Sequence, residues 1–364
     1  MANNITVPLL ILLSFLLLNF YQCLAQNGSN VTRGSSITAG SNQPWLSPSG
    51  DFAFGFYPLP NVLYLVGIWF DKIPNKADQT LVWSANRDTP APVNSKISLN
   101  TTGQFVLLFP DGAIQTIIST QTPADSGQMQ DDGNFVLKDS NSAPIGQSFD
   151  SPTDTLLPGQ ILGVNKKMFS AKNISDFSTG NFMLQMQNDG NLVLSNYHFS
   201  NIGYWFTVKT DINNTVLVFD NSSALMYTSG TAPIEQIFHN LTVNVPAPVG
   251  DYYHRATISV HGDFRQYAYP KTKGSGWIRG WGAMSDPCLV NTVCGLNGLC
   301  KSSDNDTVTC ECLPGFVQLD PTNAVKGCRL QTPINYCTEK SRKNFEVQEM
   351  DDVVIDFPPD LVNF

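Results

Sequence analysis

Two seven-residue segments carry the same pattern of side chains. Gln130-Asp131-Asp132-Gly133-Asn134-Phe135-Val136 and Gln187-Asn188-Asp189-Gly190-Asn191-Leu192-Val193 both read Gln-x-Asp-Gly-Asn-x-Val. The carboxylate accepts hydrogen bonds, the two amides donate and accept them, and the valine offers an apolar patch. That set suits a ring with adjacent hydroxyls and C–H surface. On an extended strand alternate residues share a face, so Gln, Asp, Asn and Val are expected to point the same way. A more degraded copy occupies Asn100, Thr102, Gln104 and Val106. Each neutral hydrogen bond contributes only about 0.5–1.5 kcal/mol net, so a site of three such contacts predicts affinity near millimolar or weaker. The same residues have a second use, because Asp-Gly-Asn also suits a tight turn that needs no ligand.

Other chemistry has little support. His198, His239, His254 and His261 form no metal-ligand spacing and read as strand or surface residues. No Gly-x-Ser-x-Gly elbow occurs, and nothing resembles a kinase Gly-rich loop, catalytic loop or Asp-Phe-Gly. Gly274, Gly276 and Gly280 lack a phosphate-loop Lys-Ser/Thr and read as linker. No cofactor or metal is expected. A secreted wall-active hydrolase stays open in principle, since paired carboxylates are spaced in the fold and not along the chain.

The cysteines set the compartment. Cys288, Cys294, Cys300, Cys310, Cys312 and Cys328 form a dense group, and Cys310-Glu311-Cys312 runs directly into Leu313-Pro314-Gly315-Phe316. Such spacing predicts a small extracellular module held by disulfides, although spacing alone allows 15 connectivities. Val7–Leu18 is an apolar run too short to span a bilayer, followed by Cys23-Leu24-Ala25, which predicts a signal peptide over 1–25. Asn27, Asn30, Asn100, Asn173, Asn213, Asn221, Asn240 and Asn305 each open an Asn-x-Ser/Thr triplet and are expected to carry glycans. A net charge of −9 argues against nucleic acid as a partner.

These residues must be positioned by strands. From Gln26 to about Tyr269, short alternating apolar runs are divided by Gly, Asn, Asp and Pro, with no sustained helical period. That predicts an all-β sandwich, barrel or prism. One unit recurs: Gly50-Asp51-Phe52, Gly103-Gln104-Phe105, Gly133-Asn134-Phe135, Gly190-Asn191-Leu192 and Gly262-Asp263-Phe264. Each reads as a turn glycine leading into a half-buried strand, and the repetition suggests similar sheets around a pseudo-symmetry axis.

The repeated motif resembles the mannose-binding signature of the bulb-type (monocot mannose-binding) lectins, Gln-x-Asp-x-Asn-x-Val-x-Tyr. Lys138 and Ser195 stand where that family has Tyr, so each site lacks one hydroxyl contact. Two further stretches, Val82-Trp83-Ser84-Ala85-Asn86-Arg87-Asp88 and Gln147-Ser148-Phe149-Asp150-Ser151-Pro152-Thr153-Asp154-Thr155-Leu156-Leu157-Pro158-Gly159-Gln160, resemble plant S-locus glycoproteins and G-type lectin receptor-like kinases.

That resemblance implies tandem bulb-type lectin (β-prism II-like) units followed by an EGF-like module. The expected divisions are a first lectin domain over 26–145, a second lectin-like or S-locus domain over 146–275, the EGF-like module with its leading linker over 276–328, and the start of a PAN-type module over 329–364. It implies the pairs Cys288–Cys300, Cys294–Cys310 and Cys312–Cys328. Only Asp286 precedes the first of these cysteines, so no structural calcium is expected. Cys337 is left over, consistent with a PAN-type module cut short or with an intermolecular disulfide. The implied function is recognition of a mannose-type glycan or glycoprotein at the cell surface by a non-catalytic region, with Gln130, Asp132, Asn134 and Val136 as first site and Gln187, Asp189, Asn191 and Val193 as second. Alternatives are a secreted peptide or protein ligand with vestigial sugar sites, and a homodimer or receptor complex. The full-length form is expected to cross the membrane once and carry a serine/threonine kinase.

Overall fold

The computed structural model describes residues 30–332 and 350, apart from 42, 77, 198–202, 208–213, 231–235, 273–275, 305, 306 and 322. The expected signal segment, the glycine joint Gly274-Ser275, His198, Asn27, Asn213, Asn305, Cys337 and nearly all of the final tail lie outside the described residues. Among the described residues no helix is long and apolar enough to cross a membrane.

Two three-sided units carry the chain. In the first, three antiparallel sheets enclose one core. One sheet orders the strands Asn30–Thr32, Ser126–Met129, Phe135–Lys138 and Pro144–Gln147. A second orders Ile114–Ile118, Phe105–Leu108, Lys96–Leu99 and Ser36–Thr38. The third orders Trp45–Leu46, Phe52–Leu59, Leu63–Phe70 and Leu81–Ser84, with Ala91–Pro92 against Leu63–Phe70. Alternation along each strand sends one set of side chains inward, so Phe54, Phe105 and Phe135, one from each sheet, meet at the centre. Their ring centroids lie 4.4 Å (Phe54–Phe135), 5.0 Å (Phe105–Phe135) and 5.6 Å (Phe54–Phe105) apart, within the range where aromatic pairs add to area burial.

The second unit repeats this plan with three four-stranded sheets around a core rich in Leu and Met. One holds Lys167–Asn173, Asp176–Met186, Leu192–Asn196 and Gly203–Phe206. Another holds Ile161–Leu162, Thr215–Phe219, Met226–Gly230 and Ile237–Asn240. The last holds Thr155–Leu156, Tyr252–Ile258, Phe264–Pro270 and Ile278–Gly282. The strand Ile278–Gly282 therefore belongs to the second prism, and the linker expected from residue 276 is displaced by a sheet edge. In the same way Pro144–Gln147 straddles the division expected at 145/146 and belongs to the first prism.

The disulfide module follows as two small hairpins, Gly298–Lys301 with Thr309–Cys312 and Phe316–Gln318 with Cys328–Leu330. The structure joins Cys288 to Cys300, Cys294 to Cys310 and Cys312 to Cys328, the pairs that the resemblance implies. This module is not hung on a free tether. Val290, Val293 and Cys294 are buried in the core of the second prism.

The prisms are fastened to each other as firmly. The Arg87 guanidinium reaches across to four carbonyls of the second prism: Phe177 at 2.7 Å, Ser170 at 2.8 Å, Phe169 at 3.0 Å and Ser178 at 3.3 Å. Asp88 accepts from the backbone N–H and hydroxyl of Thr179 at 2.6 and 2.7 Å. Trp83 Nε1 donates to the Ser151 carbonyl at 2.9 Å, and Trp277 Nε1 to the Asp78 carbonyl at 3.0 Å. Tyr253 and Tyr269 of the second prism are buried in the first core. The stretch Val82–Asp88 is thus an inter-prism fastening.

Behind it, Arg255 lies between the rings of Tyr267 and Trp277, 4.4 Å from each centroid. Burial pulls its guanidinium pKa down to about 10.

Candidate functional site

The two Gln-x-Asp-Gly-Asn-x-Val segments form the same bend. In the first, Gln130 N donates to the Asn134 carbonyl at 2.9 Å and Gly133 N to the Gln130 carbonyl at 3.2 Å. In the second, Gln187 N donates to the Asn191 carbonyl at 2.8 Å and Gly190 N to the Gln187 carbonyl at 3.2 Å. The glycines adopt φ of 88° and 83°, in the left-handed region that a Cβ disfavours. Asp132 Oδ1 accepts from Asn134 N at 2.9 Å, and Asp189 Oδ1 from Asn191 N at 3.1 Å.

This corrects the expectation that all four motif side chains share one strand face. Gln130 ends one side of the bend, Asp132 sits on the bend itself, and the strand begins only at Phe135. Val136 does stand opposite Gln128 and Gln147, on the face away from Phe135 and Leu137, but its neighbours leave it only 4% exposed. Val193 is similarly covered, at 8%. The valines therefore present little C–H surface to a sugar.

The asparagines are partly spent on the fold. Asn134, 5% exposed, donates from Nδ2 to Gln147 Oε1 at 2.8 Å. Its Oδ1 accepts from Ser148 Oγ at 3.1 Å and Phe149 N at 3.2 Å. Ser148 Oγ in turn accepts from Phe135 N at 2.9 Å. In the second prism Thr207 plays the part of Ser148: its Oγ1 donates to Asn191 Oδ1 at 3.1 Å and accepts from Leu192 N at 2.9 Å. In both prisms a hydroxyl from the neighbouring edge segment closes the bend.

Around the first bend a polar cleft opens at the joint between prisms. Its volume is about 220 Å³, and it is lined by Asp132, Asn134, Gln147, Phe149, Asp150, Gly159, Gln160 and Ile161. That lies below the roughly 300–1,000 Å³ of pockets for drug-sized ligands. Gln147 Nε2 donates to Asp150 Oδ1 at 2.8 Å, continuing the line of polar groups from Asn134. Gln160 is a fixed wall: its amide donates to the Phe149 carbonyl at 3.0 Å and accepts from Leu157 N at 3.1 Å. Burial pushes the Asp132 carboxyl above the usual range, opposed by the N–H of Asn134.

Gln147, Asp150 and Gln160 were not among the expected site residues. Their signal was present, since they punctuate the Pro- and Gly-rich crossing that begins 13 residues after Asn134. What the chain order could not show is that the crossing folds back against the bend. Lys138, at the family's Tyr position, donates to Gln128 Oε1 at 3.1 Å and so is turned along its own sheet.

Of the other triplet asparagines, Asn30, Asn221 and Asn240 are exposed, while Asn100 and Asn173 are half-buried at turns. Among the described residues no three His, Cys, Asp or Glu side chains cluster closely enough to hold a metal ion.

Residues 80–177 match the family model described as D-mannose binding lectin, and residues 234–320 match that of the S-locus glycoprotein domain. A G-type lectin S-receptor-like serine/threonine-protein kinase, LECRK1 of Oryza sativa subsp. indica, is 35% identical over 344 residues, covering 84% of this chain and 40% of the relative. The chain belongs to the G-type lectin S-receptor-like family. The Arabidopsis thaliana kinase RLK1 of the same description is 31% identical, over 87% of this chain and 40% of its own length. This G-type lectin chain therefore spans about 40% of the length of these curated relatives. Among solved structures, a monomeric monocot mannose-binding lectin from Gastrodia elata aligns at 17% identity and a TM-score of 0.27, covering 36% of this chain and 96% of that one.

Proposed function

We propose that this chain recognises mannose-type glycans on the cell exterior, as the sensing region of a plant receptor-like serine/threonine kinase. The observation that carries the reading is the coincidence of motif and cleft. Asp132 and Asn134 of the lectin-like bend line a polar cavity at the joint of two fastened prisms. The free Asp132 oxygen and the Asp150 carboxylate accept sugar hydroxyls, and Gln130 stands beside the bend as a further donor and acceptor. Phe149 and Ile161 supply the apolar wall in place of the covered Val136. Gln187, Asp189, Asn191 and Val193 form a second, weaker site of the same type. Single sites of this kind are weak, so useful avidity comes from multivalent glycans or clustered receptors.

The signal peptide, the glycans at the eight triplets, the EGF-like identity of the disulfide module and the start of a PAN-type module belong to the same reading. The receptor then presents two fastened prisms and the module outside the membrane.

One observation favours a second reading. Asn134 already uses both ends of its amide within the fold, which suits a sugar site that has become structural and a surface that binds a secreted protein or peptide instead. A glycan array with wild type and Asp132→Ala separates the two. Mannose-type binding that is lost in the variant supports the lectin. Absence of glycan binding by correctly folded wild type overturns it and favours protein recognition.

A further inference from the structure

The crossing that walls the cleft touches a glycan acceptor of the chain itself. Asn221 opens the triplet Asn221-Ser222-Ser223 and is exposed. It occupies the turn after the strand Thr215–Phe219, which pairs with Ile161–Leu162 beside the cleft. Gly159, a lining residue of the cleft, donates its N–H to the Phe219 carbonyl at 2.7 Å. A Cβ on Gly159 would lie only 3.8 Å from the Cβ of Asn221 and 4.0 Å from its Oδ1. The turn is held in shape by Asp220, whose Oδ1 accepts from Ser222 N at 3.0 Å and Ser223 N at 2.7 Å. Asn221 is therefore a fixed post at the rim of the cleft.

We infer that an N-linked glycan on Asn221 folds over this rim, and that one of its mannose residues occupies the cleft in cis. In the modification, a lipid-linked oligosaccharide diphosphate transfers its glycosyl group to Asn221 Nδ2. A C–N bond replaces one N–H bond, the sugar–phosphate bond breaks, and the lipid diphosphate leaves with the proton balance restored by solvent. The inference rests on the carbohydrate-binding reading of the cleft. It adds that the receptor's first site starts out covered by its own sugar, so an external glycan binds only by displacing it. A glycan tethered this close has an effective concentration on the order of millimolar, and against a site of roughly millimolar affinity it lowers apparent external affinity by about two- to tenfold.

The test uses the whole chain secreted from a glycosylating host, as wild type, as Asn221→Gln, and as Ser223→Ala, which removes the acceptor triplet while keeping Asn221. Glycopeptide mass spectrometry reads occupancy. A mannose-type glycan array reads binding. Hydrogen exchange reads protection of residues 130–134, 147–150 and 159–161. The expected result is an occupied Asn221, a two- to tenfold gain in array binding for both variants, and faster exchange at those three segments. The gain should vanish when Asp132→Ala is added. An unmodified Asn221 overturns the inference, as does an occupied one whose removal changes neither binding nor exchange. Masking that disappears on dilution overturns the in-cis form. If no protein binds the array, the external lectin reading fails alone, and the exchange difference still decides whether the glycan sits in the cleft.

Discussion

The two Gln-x-Asp-Gly-Asn-x-Val bends share sequence, backbone hydrogen bonds and a closing hydroxyl, yet they are placed differently. Asn134 is tied at Nδ2 by Gln147 and at Oδ1 by Ser148 and Phe149. Asn191 is tied only at Oδ1, by Thr207, among the described residues. The first bend also faces Gln160 and Ile161 of the other prism across the cleft, so its environment is completed by a second body. A motif therefore fixes the local turn, while the chemistry that the turn can perform is set by whatever packs against it.

The largest expected effect tests the fastening that brings the far wall to the first bend. Arg87→Ala removes four charge-assisted bonds to carbonyls and should cost about 3–5 kcal/mol in denaturant unfolding. Glycan binding at the first bend should fall with it, while binding that depends on Asp189 persists. Equal loss at both bends would break the comparison. Next in size, Asn134→Ala strands a hydroxyl, a backbone N–H and an amide, and should cost about 2–3 kcal/mol, against about 1 kcal/mol for Asn191→Ala. Equal costs in thermal or urea unfolding would show that the additional ties of Asn134 carry no energy.

The smallest effect is in pH. The raised pKa of Asp132 means that its ionised, hydroxyl-accepting form is lost at a higher pH than an ordinary carboxylate would require. Binding through the first bend should be full above that pKa and fall as pH drops through it. Asp132→Asn should remove this acid limb in a calorimetric or bead-binding titration. The stability sign is opposite. Between the ordinary and the raised value the folded state holds more protons than the unfolded one, so this residue's contribution declines as pH rises through that window. An acid limb that survives in Asp132→Asn would assign it to another group.

The sequence is legible where the signal is local. Gly50, Gly103, Gly133, Gly190 and Gly262 all take positive φ at turns, and the strands that follow bury Phe52, Phe105, Phe135, Leu192 and Phe264. It is less legible where distant segments meet. Arg87-Asp88 stands out as part of a pattern, but the partners of these two residues lie 82–91 residues away and leave no mark on their spacing. The strand Ile278–Gly282 lies where the glycines of this stretch predict a linker, and only pairing with Phe264–Pro270 makes it a sheet edge.

By itself, then, the chain determined its class: turn glycines, period-two apolar runs and crowded cysteines make antiparallel sheets and a crosslinked module, because those preferences act within a few residues. Only the tertiary structure decided the rest. It swung the crossing Gln147–Gln160 back onto the first bend, spent Asn134 inside that contact, and set Asn221 at the rim. Those outcomes depend on which surfaces meet when two prisms share buried tyrosines and the Arg87 guanidinium, and no local preference encodes that meeting.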